Sequence, residues 1–363
     1  MSRNESSYAP QGGDIKPVVE EGEFPIAAAF FNHGHIYGQI DALVEAGAQL
    51  RYVYDPEPSR YERVLKRYPN ARPASSFGEI LDDSDLRLVT AAAIPNERCL
   101  IGIQVMESGK DYLTDKAPFT SIEQLNTAKA AIVRTGRRYM VYYSERLANE
   151  ASWHAGELIK EGAIGKVIQV ANLAPHRLSA ESRPDWFFRK EIAGGILTDI
   201  GSHQCEQFLA YSGAVDGAVQ YARVDNVAHP MYPEFEDYGE ANVVLSDGST
   251  GYCRLDWFTP EGAKVWGDGR CFVLGTKGYL EIRKYRDIGI GGSDRIYLVN
   301  DEGEHVIDCR GKVGRPFFGA FILDCLNGTE TAMTQAHALK AAELSLKAQA
   351  MADRTRRAGE VAG

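Results

Sequence analysis

Asp199 and His203 stand four positions apart, in an apolar pattern of helical length that follows Gly194-Gly195. If this stretch is a helix, the two side chains share one face, with Cβ atoms roughly 5–6 Å apart. A carboxylate beside an imidazole handles protons, because it fixes the ring tautomer and stabilises the charged ring. The pair predicts acid–base chemistry, although the same spacing also occurs in exposed pairs and in half of a metal site.

A second set of candidates lies near the N-terminus. An apolar run over residues 24–31 stops at a short polar turn, a helical pattern follows, and a second strand pattern over residues 50–54 ends at Asp55. Strand, glycine-containing turn, helix, strand and acidic residue is the order of a dinucleotide-binding unit. Asp55 lies 21 positions after Gly34 (55 − 34), which suits a carboxylate that accepts from ribose hydroxyls. It favours NAD over NADP, because it repels a 2′-phosphate.

The turn departs from the usual glycine fingerprint. Tyr37 stands where the third glycine is expected, and Gly38 comes one residue late. We expect backbone N–H groups at the helix start to be the main phosphate donors. His33 and His35 are either phosphate contacts or ordinary turn residues. The predicted contacts are Asn32, His33, Gly34, His35 and Ile36.

Strand and helix patterns continue to alternate as far as residue 143, which predicts a doubly wound parallel sheet, a Rossmann domain. Ligands of such sheets bind beyond the carboxyl ends of the strands. Two further strand patterns end in polar segments, over residues 94–96 and 115–116. The cofactor candidates there are Ile94, Pro95, Asn96, Asp115 and Lys116.

After residue 166 the period changes toward two. Eight strand patterns follow, several joined by hairpin turn signals, and helical segments interrupt and close the chain. We therefore predict a large, mainly antiparallel, open-faced sheet with helices, an α+β unit. The domain prediction is a mobile tail over residues 1–23, a nucleotide-binding domain over 24–143 and a substrate-binding domain over 144–363.

Four side chains of the second half are candidates for substrate contact. Arg146 stands at the predicted domain junction, His176 and Arg177 follow the first strand of the second domain, and Trp186 precedes the Gly-Gly segment. A metal site is not expected. A cluster of His229 with nearby acids could in principle join His203, but those acids suit a solvated loop better.

Composition excludes several classes of protein. The formal net charge is −10 and no dense basic stripe is present, which argues against a nucleic-acid partner. No apolar run approaches membrane-span length, and the N-terminus lacks the features of a signal peptide. Six scattered cysteines without a C-x-x-C spacing indicate reduced thiols in the cytoplasm.

Taken together, these motifs resemble the Gfo/Idh/MocA family, the relatives of glucose–fructose oxidoreductase and inositol dehydrogenase, over roughly residues 24–350. Residues 93–96 look like the family's Thr-Pro-Asn strand end, and residues 115–118 are similar to its Glu-Lys-Pro motif, with Ala117 inserted. Residues 194–203 are close to its Gly-Gly-x-Leu-x-Asp-x-Gly-x-His motif. Residues 274–281 resemble its Gly-Thr-x-Gly sheet turn.

The resemblance implies a two-domain oxidoreductase that forms homodimers or homotetramers through the open sheet. Lys116, Asp199 and His203 would match the family's catalytic trio. A hydride would pass between a nicotinamide and a secondary alcohol or ketone of a sugar, polyol or inositol-like substrate. His203 would take the hydroxyl proton, Asp199 would orient it, and Lys116 would stabilise developing alkoxide charge.

Two other functions remain open from the sequence. One is a non-catalytic regulator that binds nucleotide or sugar. The presence of all three residues of the catalytic trio argues against it. The other is an NAD-assisted glycosidase, in which transient oxidation labilises a glycosidic bond. It would need tightly retained cofactor and would produce no net NADH.

Overall fold

The computed structural model describes residues 8–10 and 16–362, with side chains described as far as residue 356. The chain forms two compact units. The parallel-sheet unit contains residues 16–142 and 315–339, and the open-sheet unit contains residues 8–10, 143–314 and 340–362. The division after residue 142 lies one position before the predicted boundary. Residues 315–339, which we predicted in the second domain, instead belong to the parallel-sheet unit, because the Phe318 ring packs 5.6 Å from that of Tyr142.

The parallel-sheet unit has six parallel strands in the order β3-β2-β1-β4-β5-β6, which confirms the doubly wound sheet. Strands such as β1 and β4 are wholly buried, because helices cover both faces of such a sheet. The strands are β1 Pro25–Ala29, β2 Gln49–Tyr54, β3 Arg72–Pro73, β4 Leu88–Ala91, β5 Asp111–Asp115 and β6 Tyr139–Tyr142. The helices are α1 His35–Glu45, α2 Glu62–Arg67, α3 Phe77–Asp82, α4 Arg98–Glu107, α5 Ile122–Thr135 and, late in the chain, α11 Pro316–Asn327.

The open-sheet unit holds an eight-stranded sheet in the order β14-β13-β12-β11-β7-β10-β9-β8. All neighbours are antiparallel except β7 and β10, so the predicted mainly antiparallel sheet is confirmed. The strands are β7 Val167–Pro175, β8 Gly217–Asp225, β9 Tyr238–Leu245, β10 Thr250–Asp256, β11 Arg270–Gly275, β12 Gly278–Arg283, β13 Arg295–Asn300 and β14 Gly303–Asp308. The helices are α6 Ser144–Leu147, α7 Glu150–Lys160, α8 Lys190–Ala193, α9 Ile196–Asp199, α10 Gly201–Ser212 and most of α12 Gln335–Ala362.

Helix α10 covers the inner face of this sheet next to β7 and β10. Gly251 on β10 permits the close approach, since a Cβ atom there would lie 2.5 Å from the Phe208 ring. Short 3-10 helices connect other elements, at Pro58–Arg60, Pro95–Glu97, Ala180–Ser182 and Asp185–Phe188.

Of the predicted N-terminal tail, residues 1–7 and 11–15 lie outside the described residues. The Val18 N–H donates to the Ala46 carbonyl at 2.9 Å, so this part of the tail packs against the end of α1. The six cysteines are free thiols, five of them buried. Within the described part of the chain, no helix combines the length and apolar character needed to cross a membrane.

Candidate active site

Asp55, directly after β2, is buried, and both of its carboxylate oxygens accept hydrogen bonds. Its Oδ2 accepts from the Phe31 N–H at 2.6 Å, and its Oδ1 accepts from the Glu57 N–H at 2.8 Å. The Arg60 guanidinium lies 3.2 Å from Oδ1. The carboxylate therefore ties the turn after β1 to the end of β2, at the position where the sequence places the cofactor ribose.

The predicted phosphate turn leads directly into α1. Gly34 is the N-cap residue and supplies no side-chain cap, the His35 N–H donates to His33 Nδ1 at a long 3.4 Å, and no atom of the described residues lies within 4 Å of a Cβ atom built on Gly34. An open, uncapped helix start suits an anion. The His33 N–H is already used by the Ala92 carbonyl at 3.0 Å, and the Ile36 side chain is fully buried in the core. Asn32 is half-buried at the head of the turn.

His33, His35 and Asp115 form a cluster that sequence reasoning missed. The Nδ1 atom of each histidine lies 2.8 Å from a different oxygen of Asp115, which is completely buried. Burial alone would raise the pKa of Asp115, but His35, His33 and Arg98 hold it well below its usual range. Burial lowers the pKa of His33 to about 4, against the opposing effect of Asp115. The three ligand atoms lie within 4.8 Å of one another, close enough to hold a metal ion, although the carboxylate already pairs with both rings.

Lys116 follows β5 and is 6% exposed. Its backbone is held on both sides: its N–H donates to Asp115 Oδ1 at 2.8 Å, and the buried Arg98 guanidinium donates to its carbonyl oxygen. Arg98 also donates to the Ala117 carbonyl at 3.0 Å and to the Ala93 carbonyl at 2.7 Å. The Lys116–Ala117 peptide bond is cis. Arg98 therefore joins the ends of β4 and β5, a role that no local pattern indicated.

Ile94, Pro95 and Asn96 follow β4, where the sequence predicts cofactor contacts. The Asn96 side-chain oxygen is buried and has no hydrogen-bond partner among the described residues, while its backbone oxygen accepts from Gln124 at 2.9 Å. An unpartnered buried acceptor costs free energy unless a ligand donates to it. Together with the uncapped start of α1, this atom fits a dinucleotide at the carboxyl edge of the sheet.

In the open-sheet unit, Asp199 ends α9 and His203 lies in the first turn of α10. Ile200 between them has helical angles (φ −72°, ψ −43°), so α9 and α10 are nearly continuous and the two side chains have the predicted spacing of four. His203 is 2% exposed and Asp199 is half-buried. His203 therefore lies in a buried environment, where hydrogen bonds and charge interactions are stronger than in water.

Side chains from two distant segments hold the start of this helix. Glu236 accepts from the Ile196 N–H at 2.9 Å, and Gln349 on α12 accepts from the Leu197 N–H at 3.0 Å. The Gln349 amide also donates to Glu236 at 3.0 Å. Gly195 is required here, since its φ is +87° and a Cβ atom would lie 2.5 Å from Gln349 Oε1. These contacts satisfy N–H groups that a helix start leaves free.

His176 and Trp257 follow the neighbouring parallel strands β7 and β10. The His176 N–H donates to the Asp256 carbonyl at 2.7 Å, and the His176 and Trp257 ring centroids are 5.4 Å apart. The parallel pairing of β7 with β10, which brings these two residues together, could not be read from the sequence. Both side chains therefore lie beyond the carboxyl ends of this parallel pair.

Glu145 and Lys284 form a buried ion pair of 2.7 Å beside these residues. Gln204 donates to the same carboxylate at 3.1 Å, and His176 Nε2 lies 3.9 Å from its other oxygen. Burial would raise the pKa of Glu145, but Lys284, followed by His203 and His176, holds it well below its usual range. The charged Glu145 carboxylate therefore lies near both His176 and His203. The partners are far apart in the chain, so no sequence signal pointed to them.

The other predicted substrate contacts have different surroundings. Arg146 makes a buried ion pair with both oxygens of Glu206, with Nε at 2.7 and 3.0 Å. Arg177 donates to backbone carbonyls of residues 260–265, including that of Ala263 at 2.5 Å. Both guanidinium groups thus have protein partners. Trp186 is half-buried in a 3-10 helix, 6.2 Å from the Phe187 ring.

Two family models match this chain, one mainly in each unit. A model described as an oxidoreductase family with an NAD-binding Rossmann fold matches residues 32–143. The model of the GFO/IDH/MocA C-terminal domain matches residues 153–281. The chain belongs to the GFO/IDH/MocA family of oxidoreductases, and the resemblance drawn from its sequence is confirmed.

Individual relatives agree with this assignment. The crystal structure of a protein from Erwinia carotovora atroseptica SCRI1043 is 42% identical, has a TM-score of 0.88, and covers 91% of this chain and 98% of its own. Levoglucosan dehydrogenase in complex with NADH and levoglucosan has the same fold at 16% identity, with a TM-score of 0.78 and coverage of 91% and 97%. The NADP-dependent scyllo-inositol 2-dehydrogenase IolW of Bacillus subtilis strain 168 is 28% identical over 53% of this chain and 54% of its own. The matched region thus spans about half the length of that curated relative.

Proposed function

We propose that this protein is a nicotinamide-dependent dehydrogenase or reductase that interconverts a secondary alcohol and a ketone on a sugar, polyol or inositol-like substrate. The observation that carries the proposal is the Asp199–His203 pair on a helix whose start is held by Glu236 and Gln349. The substrates named for relatives, levoglucosan and scyllo-inositol, are polyhydroxylated rings and support this substrate class.

In this proposal the nicotinamide, when bound, accepts the hydride from the alcohol carbon. His203 takes the hydroxyl proton, since an imidazole ordinarily titrates near working pH. Asp199 orients His203, and the ammonium group of Lys116 donates to the substrate oxygen and stabilises alkoxide charge. Arg146, His176, Arg177 and Trp186 are proposed to shape the substrate pocket, with Arg146 and Arg177 acting through the backbone and side chains that they hold.

The proposed cofactor is NAD in preference to NADP. The Asp55 carboxylate stands at the expected ribose position, where it would accept from hydroxyl groups and repel a phosphate. Arg60, 3.2 Å away, offsets part of that charge, so the preference is smaller than for an unpaired carboxylate. The proposed contacts are Asn32, His33, Gly34, His35, Ile36, Asp55, Ile94, Pro95, Asn96, Asp115 and Lys116, with Ile36 and Asp115 acting as structural supports of the turn.

We also propose that a second copy of the chain covers the outer face of the open sheet, and that the protein works in the cytoplasm. Large apolar side chains alternate along the strands and remain exposed: Ile168, Tyr221, Val244, Phe272, Leu274, Tyr279 and Val306. Exposed apolar side chains spread over one face of a sheet support the proposal of an interface there. Light scattering on the purified protein tests the proposal, and a monomer at micromolar concentration contradicts it.

The experiment that tests the proposed activity is a turnover screen. Purified protein is incubated with NAD or NADP and a panel of inositols, hexoses, alditols, anhydrosugars and sugar acids, and formation of the reduced nicotinamide is followed by absorbance. We expect reduction of NAD with at least one member of the panel. Binding of NAD without reduction by any member would contradict the proposed dehydrogenase.

A further inference from the structure

Arg183 lies in a cage of aromatic rings in the open-sheet unit. It belongs to the connection between β7 and α8, just after the 3-10 helix Ala180–Ser182. Its guanidinium carbon is 4.5 Å from the ring centroid of Phe187, 4.9 Å from that of Trp266 and 5.1 Å from that of Trp257. Three rings therefore surround one cation, at distances typical of cation–π contacts.

The loop that carries Trp266 is fixed in place. Arg177 donates to three backbone carbonyls of this loop, at residues 260, 263 and 265. Gly267 approaches the end of β7 so closely that a Cβ atom would lie 1.9 Å from the Pro175 carbonyl oxygen. Such a close approach requires glycine. Hydrogen bonds and close packing therefore hold the backbone that carries Trp266 in the cage around Arg183.

The hydrogen-bonding capacity of Arg183 is only partly used. Its Nε donates to the Leu178 carbonyl at 2.9 Å, and its Nη2 lies 3.5 Å from the Arg177 carbonyl. Among the described residues, Nη1 has no hydrogen-bond acceptor, and no carboxylate forms an ion pair with the guanidinium. Burial lowers the pKa of Arg183, and Asp199 is the charge that opposes this effect. The guanidinium still remains protonated, because its usual pKa is far above working pH.

Asp199 is near enough to offset part of the cost of burying this cation but forms no ion pair with it, so an anionic ligand that reaches the guanidinium would add a charge-assisted hydrogen bond. Phe187 and Trp257, two of the three rings around Arg183, line a small cavity together with Asp199, so the guanidinium lies next to the wall of that cavity. We propose that Arg183 binds an anionic substituent of the substrate, so that the preferred substrates are acidic sugars rather than neutral polyols. This inference rests on the proposed function for the identity of the site and deepens it by naming the substrate class.

The test measures binding rather than turnover. Tryptophan fluorescence or calorimetry, with NAD present, follows the binding of D-glucuronate, D-gluconate, glucose 6-phosphate and neutral D-glucose to the wild type, Arg183→Met and Arg183→Lys. We expect at least one acid to bind the wild type roughly 10- to 100-fold more tightly than glucose, the range of a charge-assisted hydrogen bond. R183M should abolish the preference and R183K should retain part of it. The uronate, aldonate and phosphate arms show which anion is preferred.

The matched control is Arg189→Met, an exposed arginine paired with Glu191 in the same connection. It should keep the preference for the acid. If no acid binds the wild type more tightly than glucose, or if R183M keeps the preference, the proposal is overturned. A merely structural role would weaken binding of acids and glucose equally. No step of this measurement requires hydride transfer. The binding result can therefore be interpreted even if the proposed dehydrogenase activity is not found.

Discussion

The buried guanidinium of Arg98 donates to the backbone carbonyl of Lys116, 18 positions further along the chain. The same group holds the carbonyls of Ala93 and Ala117 and lies 3.4 Å from Asp115. One side chain therefore sets the path of the backbone that carries the proposed catalytic lysine. Arg98 is a positioning residue in this account.

Arg98→Lys should lower kcat by about 10-fold or more, because an ammonium group cannot reproduce the planar fork that binds several carbonyls, and small misplacement of a catalytic group is costly. Arg98→Met should also lower the free energy of unfolding by roughly 3 kcal/mol or more, since buried acceptors lose their donor. Steady-state kinetics and urea denaturation measure both effects. Arg134→Lys, which alters an exposed pair with Glu107 in the same unit, is the control. A wild-type kcat in R98K would refute the positioning role.

Gln349→Leu should disturb the helix that carries Asp199 and His203. The substitution removes the acceptor of the buried Leu197 N–H and a donor to Glu236. We expect a loss of about 1–3 kcal/mol in the free energy of unfolding, the cost of an unsatisfied buried group, and a larger change in kcat than in KM. Gln104→Leu, at an exposed position on α4, should change neither. Full retention of kcat and stability in Q349L would show that the helix start does not depend on this contact.

Asp55→Ser should shift cofactor choice. The change removes the charge that repels a 2′-phosphate and releases Arg60, which then becomes available to bind one. Fluorescence titrations should show the NADP:NAD affinity ratio rising about 10-fold or more, because the phosphate of NADP accepts a charge-assisted hydrogen bond while the ribose of NAD loses one. Asp85→Ser, at an exposed carboxylate, is the control. An unchanged ratio in D55S would mean that Asp55 does not face the ribose.

The stability of the protein should fall as pH is lowered below about 6.5, in part because of His33. Burial holds the pKa of this ring at about 4, whereas in the unfolded chain the pKa has its ordinary value of 6.5. Between these values the unfolded state binds more protons, so the free energy of unfolding rises with pH and falls as pH drops. Urea midpoints of unfolding at pH 7.5 and 5.5 measure how steeply the stability depends on pH. His33→Gln, which keeps an N–H donor for Asp115 but does not titrate, should have a shallower slope, and an equal slope would exclude His33 as the cause.

Much of the fold could be predicted, because the periodicity of strands and helices is a local property of the sequence. Alternating strand and helix patterns indicated the parallel sheet, and period-two segments located all eight strands of the second sheet. The helical spacing of Asp199 and His203 was likewise a local property. The position of β7 between β11 and β10 was not, since strand order depends on pairings between distant segments.

The supports of the candidate site were missed for the same physical reason. Glu145 pairs with Lys284, which lies 139 positions further along the chain. Arg98 donates to backbone carbonyl oxygens, and these are the same whatever the residue type. The side chains that handle protons or charge could be chosen by type and spacing. Those that hold them depend on tertiary contacts that a single sequence does not reveal.

The measurement that tests the central claim most directly is turnover of the best substrate by the wild type, Lys116→Met and His203→Ala. Nucleotide binding is measured in parallel, and Lys66→Met on the exposed surface of α2 is the control. We predict that K116M and H203A bind NAD but lose at least about 100-fold in kcat/KM, the loss expected for positioned acid–base groups, while K66M matches the wild type. Turnover that survives unchanged in either variant would contradict the assignment of these residues and the mechanism built on them.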